Sequence, residues 1–348
     1  MGIRVGLIGG GNISHTHARA VRAIAGGEVV AVYGRDPQKV QAFSGEYGAA
    51  AYDDLNGFLG HRPMEMVIIG SPSGLHAEQG VAAARRGLHV LVEKPIDIKT
   101  ERADRLIEEC SKAGVKLGVL FQDRGKRGIG KLKQLIDDGI LGKILLVDAR
   151  MKWYRPPEYY SGSRWRGSWA LDGGGALMNQ GIHTVDLLLW LFGDVTNVRA
   201  RTAAVLHEIE VEDTGLALLE FSSGALGVLQ ATTAAFPGYA RRLEVTGTEG
   251  TAILEGDHLI AADLRTPQDT LMSEEVGEPS AAASSPVVSD FRAHQRLLED
   301  FIAAIGQNTT PLCDGREGRR SLELVERIYQ DSGNSMFAGR SKLTAQAR

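Results

Sequence analysis

The sequence predicts an α/β protein of two domains. A doubly wound parallel sheet is expected over residues 1–123, and an α+β domain with a large, open, mainly antiparallel sheet over residues 124–348. Three observations carry this expectation. The chain has 348 residues, beyond the usual range of a single core. Its first third alternates short apolar runs with helical stretches, the rhythm of parallel βαβ units. After about residue 123 the apolar runs lengthen, and turns connect several of them.

In order, residues 3–8, 28–33, 64–69, 89–92 and 115–120 read as strands, each bounded by Gly, Pro or Asp. Helices are expected from Ile13, Pro37, Leu75 and Thr100, the last with Thr100 as N-cap ahead of Glu101. Beyond them, 144–152, 215–221, 225–231 and 242–246 read as strands, with turns at Ser223-Gly224 and Thr248-Glu249-Gly250. Residues 266–289, rich in Ser, Ala, Pro and Glu, read as a surface loop. Helices are expected over 292–305 and 316–330.

Composition narrows the function. With 39 Lys and Arg against 43 Asp and Glu the net charge is −4, which offers no basic field for nucleic acid. Asp186 and Glu220 interrupt the longest apolar runs, so no membrane helix is expected, and the start lacks a secretory apolar core. A cytoplasmic location is the resulting expectation. Cys110 and Cys313 are too far apart in sequence and too unlike in context to suggest a disulfide or thiolate metal site. His15 and His17, two apart on a helix, point to different faces, so no metal is expected there either.

Gly9-Gly10-Gly11-Asn12-Ile13-Ser14 follows the first strand and opens the first helix, the context of a dinucleotide fingerprint. Gly9 permits the turn, Gly11 lets the backbone approach a pyrophosphate, and the helix start at Asn12 and Ile13 supplies N–H donors. Ser14 replaces the third glycine. At the end of the second strand, where an acid usually takes the ribose 2′-hydroxyl, the chain reads Tyr33-Gly34-Arg35-Asp36. Gly34 and Arg35 leave room and positive charge for a 2′-phosphate, while Asp36 pulls the other way. The expected cofactor is NAD(P), with NADP favoured.

Glu93-Lys94-Pro95 ends the fourth strand, on the sheet edge where the nicotinamide of a bound cofactor lies. A partly desolvated ammonium beside a cationic ring has a lowered pKa, which suits Lys94 to bind and polarise a substrate hydroxyl or carbonyl. A surface lysine ahead of a turn proline is the competing reading. Further on, Asn179, His183 and Asp186 fall at i, i+4 and i+7 on one face of an apolar helix, with Ile182, Val185 and Leu189 covering the core-facing side. Gly181 within it implies a close packing partner. Lys152, Tyr154, Arg164, Trp165 and Arg166 form a basic and aromatic cluster suited to a polyhydroxy ring, with a solvated loop as the competing reading.

Together with Ser71-Pro72-Ser73-Gly74-Leu75-His76, Gly173-Gly174-Gly175 and Asp314-Gly315, these motifs resemble the Gfo/Idh/MocA oxidoreductase family over nearly the whole chain. That family is named from glucose-fructose oxidoreductase and inositol dehydrogenase. The resemblance implies an N-terminal Rossmann domain, and a C-terminal domain whose open sheet often forms a homodimer or homotetramer interface. It implies sugars, polyols, sugar nucleotides or their keto forms as substrates. Lys94 and His183 become the catalytic pair, with a cis peptide at Lys94-Pro95, and Ser71, His76, Glu93 and Gln122 lie near the cofactor. Members commonly carry Asp where this chain has Asn179. That leaves His183 for proton transfer and makes Asn179 a hydrogen-bonding residue for substrate, alongside Asp186. The expected activity is NAD(P)-dependent hydride transfer to or from a sugar, polyol or sugar derivative. An NAD-dependent glycoside hydrolase or lyase acting through a transient keto sugar, and a cofactor-sensing binding protein without activity, remain as alternatives.

Overall fold

The computed structural model describes residues 2–163, 165–266 and 290–334, and the chain divides into two compact units. In the first, β1 (Ile3–Ile8), α1 (Asn12–Ala23), β2 (Gly27–Tyr33), α2 (Pro37–Tyr47), β3 (Ala50–Tyr52), α3 (Leu55–Gly60), β4 (Met66–Ile69), α4 (His76–Ala84), β5 (His89–Glu93), α5 (Thr100–Ala113) and β6 (Leu117–Leu120) follow in order. All six strands are parallel, in the order β3-β2-β1-β4-β5-β6. The order reverses between β1 and β4, and in such sheets ligands bind at the carboxyl ends beside that reversal. A sheet covered on both faces needs strands apolar on both sides, as in Met66-Val67-Ile68-Ile69, where all four residues are buried. The short edge strand β3 has no such run, and the sequence does not announce it.

The second unit holds α6 (Arg127–Asp137), β7 (Ile144–Lys152), α7 (Pro157–Ser161), a π-helical turn (Ala176–Gly181) and α8 (Ile182–Phe192). After these come β8 (Val195–Ala203), β9 (Thr214–Phe221), β10 (Leu226–Thr232), β11 (Arg242–Gly247), β12 (Gly250–Glu255) and β13 (His258–Leu264). The seven strands run in the order β13-β12-β11-β7-β10-β9-β8, and only the β7–β10 pair is parallel. Along β9, Gly215, Ala217, Leu219 and Phe221 are buried, while Leu216, Leu218 and Glu220 are exposed. The π turn packs on the buried face: a Cβ at Gly215 would lie 2.6 Å from Leu177 Cδ1. Edge strand β8 escapes the sequence reading because Thr196, Asn197, Arg199, Arg201 and Thr202 dilute its apolar signal.

Two further helices, α9 (Arg292–Gln307) and α10 (Gly315–Asp331), follow. Leu297, Leu298 and Phe301 of α9 join Val5, Leu7 and Leu91 in the core of the first unit. Gly118 on β6 makes room for them, since a Cβ there would lie 2.7 Å from the Phe301 ring. The first unit also takes in residues 170–173 and the described residues from 290 to 322. Beyond Thr266, the expected surface loop lies outside the described residues, as does Arg164. Among the described residues no helix is long and apolar enough to cross a membrane, and both cysteines are buried and free.

Candidate active site

At the glycine-rich turn, Gly9 adopts φ 120°, and a Cβ there would lie 2.8 Å from Gly70 O. No other residue type fits without displacing backbone. Gly11 is the N-cap of α1, and its Cβ position is open, with nothing within 4 Å. No side chain caps α1 and no acid stands in its first turn, which leaves the helix start to attract an anion. Asn12 is exposed there, Ile13 packs towards Gly70, and Ser14 turns inward to donate from Oγ to Gly9 O at 2.8 Å. This cradle suits a dinucleotide pyrophosphate. At the end of β2, Asp36 Oδ1 accepts from Gln38 N (3.1 Å) and Lys39 N (3.3 Å), capping α2. Arg35 is exposed, and Gly34 lies close to Gly10 and Val40, leaving little space for an acidic side chain.

Lys94 follows β5 directly; it is half-buried and its peptide bond to Pro95 is cis. Around it, residues expected to face the cofactor engage protein groups. His76 is buried and bridges two carbonyls, Nδ1 to Pro95 O and Nε2 to Ser71 O, each at 2.8 Å. Ser71 Oγ donates to Gln79 Oε1 at 2.6 Å. Glu93 turns inward between His17 and His294, and those imidazoles overcome the opposing effect of burial to hold its carboxyl down at about 2. Gln122 opens a 3₁₀ turn just past β6. Asp97, which the sequence reading did not single out, is fully buried and accepts from Ala77 N (2.9 Å) and Ile98 N (2.7 Å), with Arg102 Nε at 3.2 Å. It fixes the start of α4.

In the second unit the glycines before the helix are required by close approach. Cβ atoms at Gly174 and Gly175 would lie 2.1 Å from Tyr329 Oη and 1.7 Å from Glu212 O. Glu212 holds this segment from behind. It accepts from Gly175 N (3.0 Å), Leu177 N (2.8 Å) and Tyr329 Oη (2.9 Å), and burial pushes its carboxyl up to about 7. The expected single α-helical stripe needs correction here. Asn179 sits in the π turn, and only His183 and Asp186 share the α-helix, because one wide turn precedes it. His183 is buried at 8% exposure and Asp186 is fully buried, whereas Asn179 and Gln180 are half-buried. Gly181 has its close partners: a Cβ would lie 2.9 Å from Ala176 O and 3.4 Å from Ala231 Cβ.

The basic and aromatic cluster forms from a different membership than expected. Strand alternation continues past β7, so Lys152 is exposed and Tyr154 packs edge-on against Phe236 at 5.2 Å. Trp153 and Arg155 face the buried side. The Arg155 guanidinium lies over Trp153 (5.2 Å) and Tyr159 (5.6 Å), and that of Arg166 over Tyr159 (4.2 Å) and Trp165 (5.4 Å). Gln180 joins them, accepting from Arg155 Nη2 at 3.3 Å and donating from Nε2 to Tyr159 Oη (2.9 Å) and Asn179 Oδ1 (3.2 Å). Period-two counting from Met151 could have found Arg155; nothing in the sequence alone marks Gln180. Among the described residues no cluster of His, Cys, Asp or Glu side chains is arranged to hold a metal ion.

Comparison with known proteins accords with this architecture. Residues 3–121 match the family model described as an oxidoreductase family with an NAD-binding Rossmann fold, and residues 129–253 match the GFO/IDH/MocA C-terminal domain. The crystal structure of the WlbA dehydrogenase from Bordetella pertussis, in complex with NADH and UDP-GlcNAcA, is 33% identical and covers 95% of each chain with a TM-score of 0.87. Myo-inositol 2-dehydrogenase from Thermotoga maritima is 27% identical over 331 residues, 92% of this chain and 94% of its own. D-apiose dehydrogenase from Paraburkholderia graminis is 27% identical over 348 residues, 98% of this chain and 90% of its own. The chain belongs to the GFO/IDH/MocA family, as an oxidoreductase with an NAD-binding Rossmann domain.

Proposed function

We propose that the protein transfers hydride between a nicotinamide cofactor and a hydroxyl-bearing carbon of a sugar, polyol or sugar derivative. The observation that carries this reading is Lys94, which directly follows β5 at the carboxyl edge of a sheet whose glycine turn suits a dinucleotide. The substrates named for the inositol and apiose dehydrogenases, and the sugar nucleotide bound to WlbA, support the substrate class. In the oxidative direction His183 accepts the hydroxyl proton while Lys94 orients the oxygen; reduction reverses both roles. The cofactor, when bound, supplies the hydride acceptor or donor. Asn179 offers its amide to a substrate hydroxyl, and Asp186, fully buried one turn beyond His183, serves as a positioning group. Lys94→Ala and His183→Ala should each lower kcat on the order of 10²-fold or more, with Tm nearly unchanged. A fully active His183→Ala enzyme would sink the assignment.

The preferred cofactor on this reading is NADP(H). Support comes from the exposed Arg35, the missing acid at Gly34, and the engagement of Asp36 as a helix cap. A bidentate guanidinium–phosphate contact favours NADP(H) by roughly ten- to a hundredfold. Titration of both cofactors against wild type and Arg35→Ala checks this, and tighter NAD(H) binding by wild type counts against it. For assembly we infer a homo-oligomer formed through the open sheet face, where Leu146, Leu216, Leu218 and Leu226 are each at least half exposed. Sedimentation of Leu218→Glu should show a smaller particle than wild type.

A further inference from the structure

The residue before Lys94 belongs to a buried cluster assembled from three distant stretches of the first unit. His17 Nε2, on α1, stands 3.0 Å from Glu93 Oε1, and His294 Nε2, on α9, stands 3.9 Å from the same oxygen. The two imidazole rings meet edge to face with centroids 5.6 Å apart. Exposure is 2% for His17, 7% for Glu93 and 2% for His294. A carboxylate sealed this deeply would normally take up a proton, because burial disfavours charge. Here the titratable groups facing it are His17 from α1, His294 from α9 and Lys94 from its own strand end, and all three favour the ionised carboxylate.

The placement of the cluster connects it to chemistry. Helix α1 begins at the glycine-rich turn, β5 ends one residue before Lys94, and α9 arrives from the far end of the sequence to pack in the same core. A lysine beside a cationic nicotinamide is pushed to lose its proton. A fixed negative charge one residue away pushes in the opposite sense.

We propose that His17, Glu93 and His294 form a positioning cluster for Lys94: the clamped carboxylate fixes the end of β5 and keeps the lysine charged, and His17 ties it to the helix that starts at the cofactor turn. This rests on the reading of Lys94 as the group that orients the substrate oxygen.

The test has two readouts, the Lys94 ammonium titrated by ¹⁵N-edited NMR in cofactor-free protein and the pH profile of kcat/KM. Glu93→Gln keeps the shape and removes the charge. The Lys94 midpoint should fall by on the order of one pH unit, and the basic limb of kcat/KM should move down with it. Glu93→Asp, which keeps the charge, should restore most of both. His294→Gln, which removes the more distant contact, should leave the Lys94 midpoint in place, because the carboxylate stays ionised where the lysine titrates; a ¹³C titration of the Glu93 carboxyl in wild type, expected to stay ionised below pH 4.5, provides the test if Glu93→Gln does not fold. A folded Glu93→Gln protein with both readouts unchanged, or a wild-type Glu93 carboxyl that takes up its proton above pH 4.5, overturns the cluster's role. Lys94→Ala separates the two ideas. If it is fully active, the reading of Lys94 fails; if it is inactive while the other variants titrate like wild type, only the cluster proposal fails.

Discussion

Glu93 in the first unit and Glu212 in the second are both almost completely buried, at 7% and 4% exposure, yet their carboxyls are displaced in opposite directions, to about 2 and about 7. Burial alone raises both. The difference lies in what faces them. Glu93 meets two imidazoles and the Lys94 ammonium, whose attraction favours its ionised form, while Glu212 meets two backbone N–H groups and a tyrosine hydroxyl, which carry only dipoles. Dipoles hold a loop in shape without keeping a carboxylate ionised, whereas cations do both. Each arrangement stands behind one proposed catalytic group, charge behind Lys94 and neutral hydrogen bonds behind the π turn that leads to His183.

The same substitution at both positions separates the two kinds of support. The larger loss is expected at Glu93→Gln. Removing one partner of a buried charged set leaves the others uncompensated, which costs about 3–5 kcal/mol. Urea unfolding at pH 7 measures it, and a loss no greater than that of Glu212→Gln would erase the distinction. The pH dependence gives a second handle. Glu93 has a folded pKa below its ordinary 4.5, so its stabilising contribution is present above that value and is lost as pH falls towards 2. Wild type and Glu93→Gln should therefore differ most above pH 5 and converge in acid.

What the sequence made legible follows the distance over which each feature is determined. The glycine turn, the start of α2 at Pro37 and the Glu93-Lys94-Pro95 triplet are local, and each is found where the sequence predicts it. Face assignments were readable but demanded the right period. Side-chain type singles out Lys152 and Tyr154, while strand alternation decides the faces, leaving Lys152 exposed and burying Trp153 and Arg155. The π turn at Ala176–Gly181 was not readable, since a helix-like apolar pattern does not register one wide turn. Contacts such as His17 with Glu93, and Glu212 with Leu177 and Tyr329, join residues 35 to 117 positions apart and exist only once two layers have packed.

The smaller effect is expected at Glu212→Gln, and its sign makes it the sharper half of the comparison. Glutamine has the shape of the protonated acid, but its NH₂ would face a backbone N–H of Gly175 or Leu177, a mismatch worth about 1–3 kcal/mol. The folded pKa of Glu212 is raised above its ordinary 4.5, so the native state holds a proton that the unfolded chain has already released. That contribution is fully present below pH 4.5 and is lost as pH rises through about 7. Wild type should exceed Glu212→Gln in Tm at pH 5 and draw level with it towards pH 8, the reverse of the trend at Glu93. A gap that widens with pH would mean the three donors outweigh burial and Glu212 is ionised like Glu93, so that charge and dipole support could no longer be told apart in this molecule.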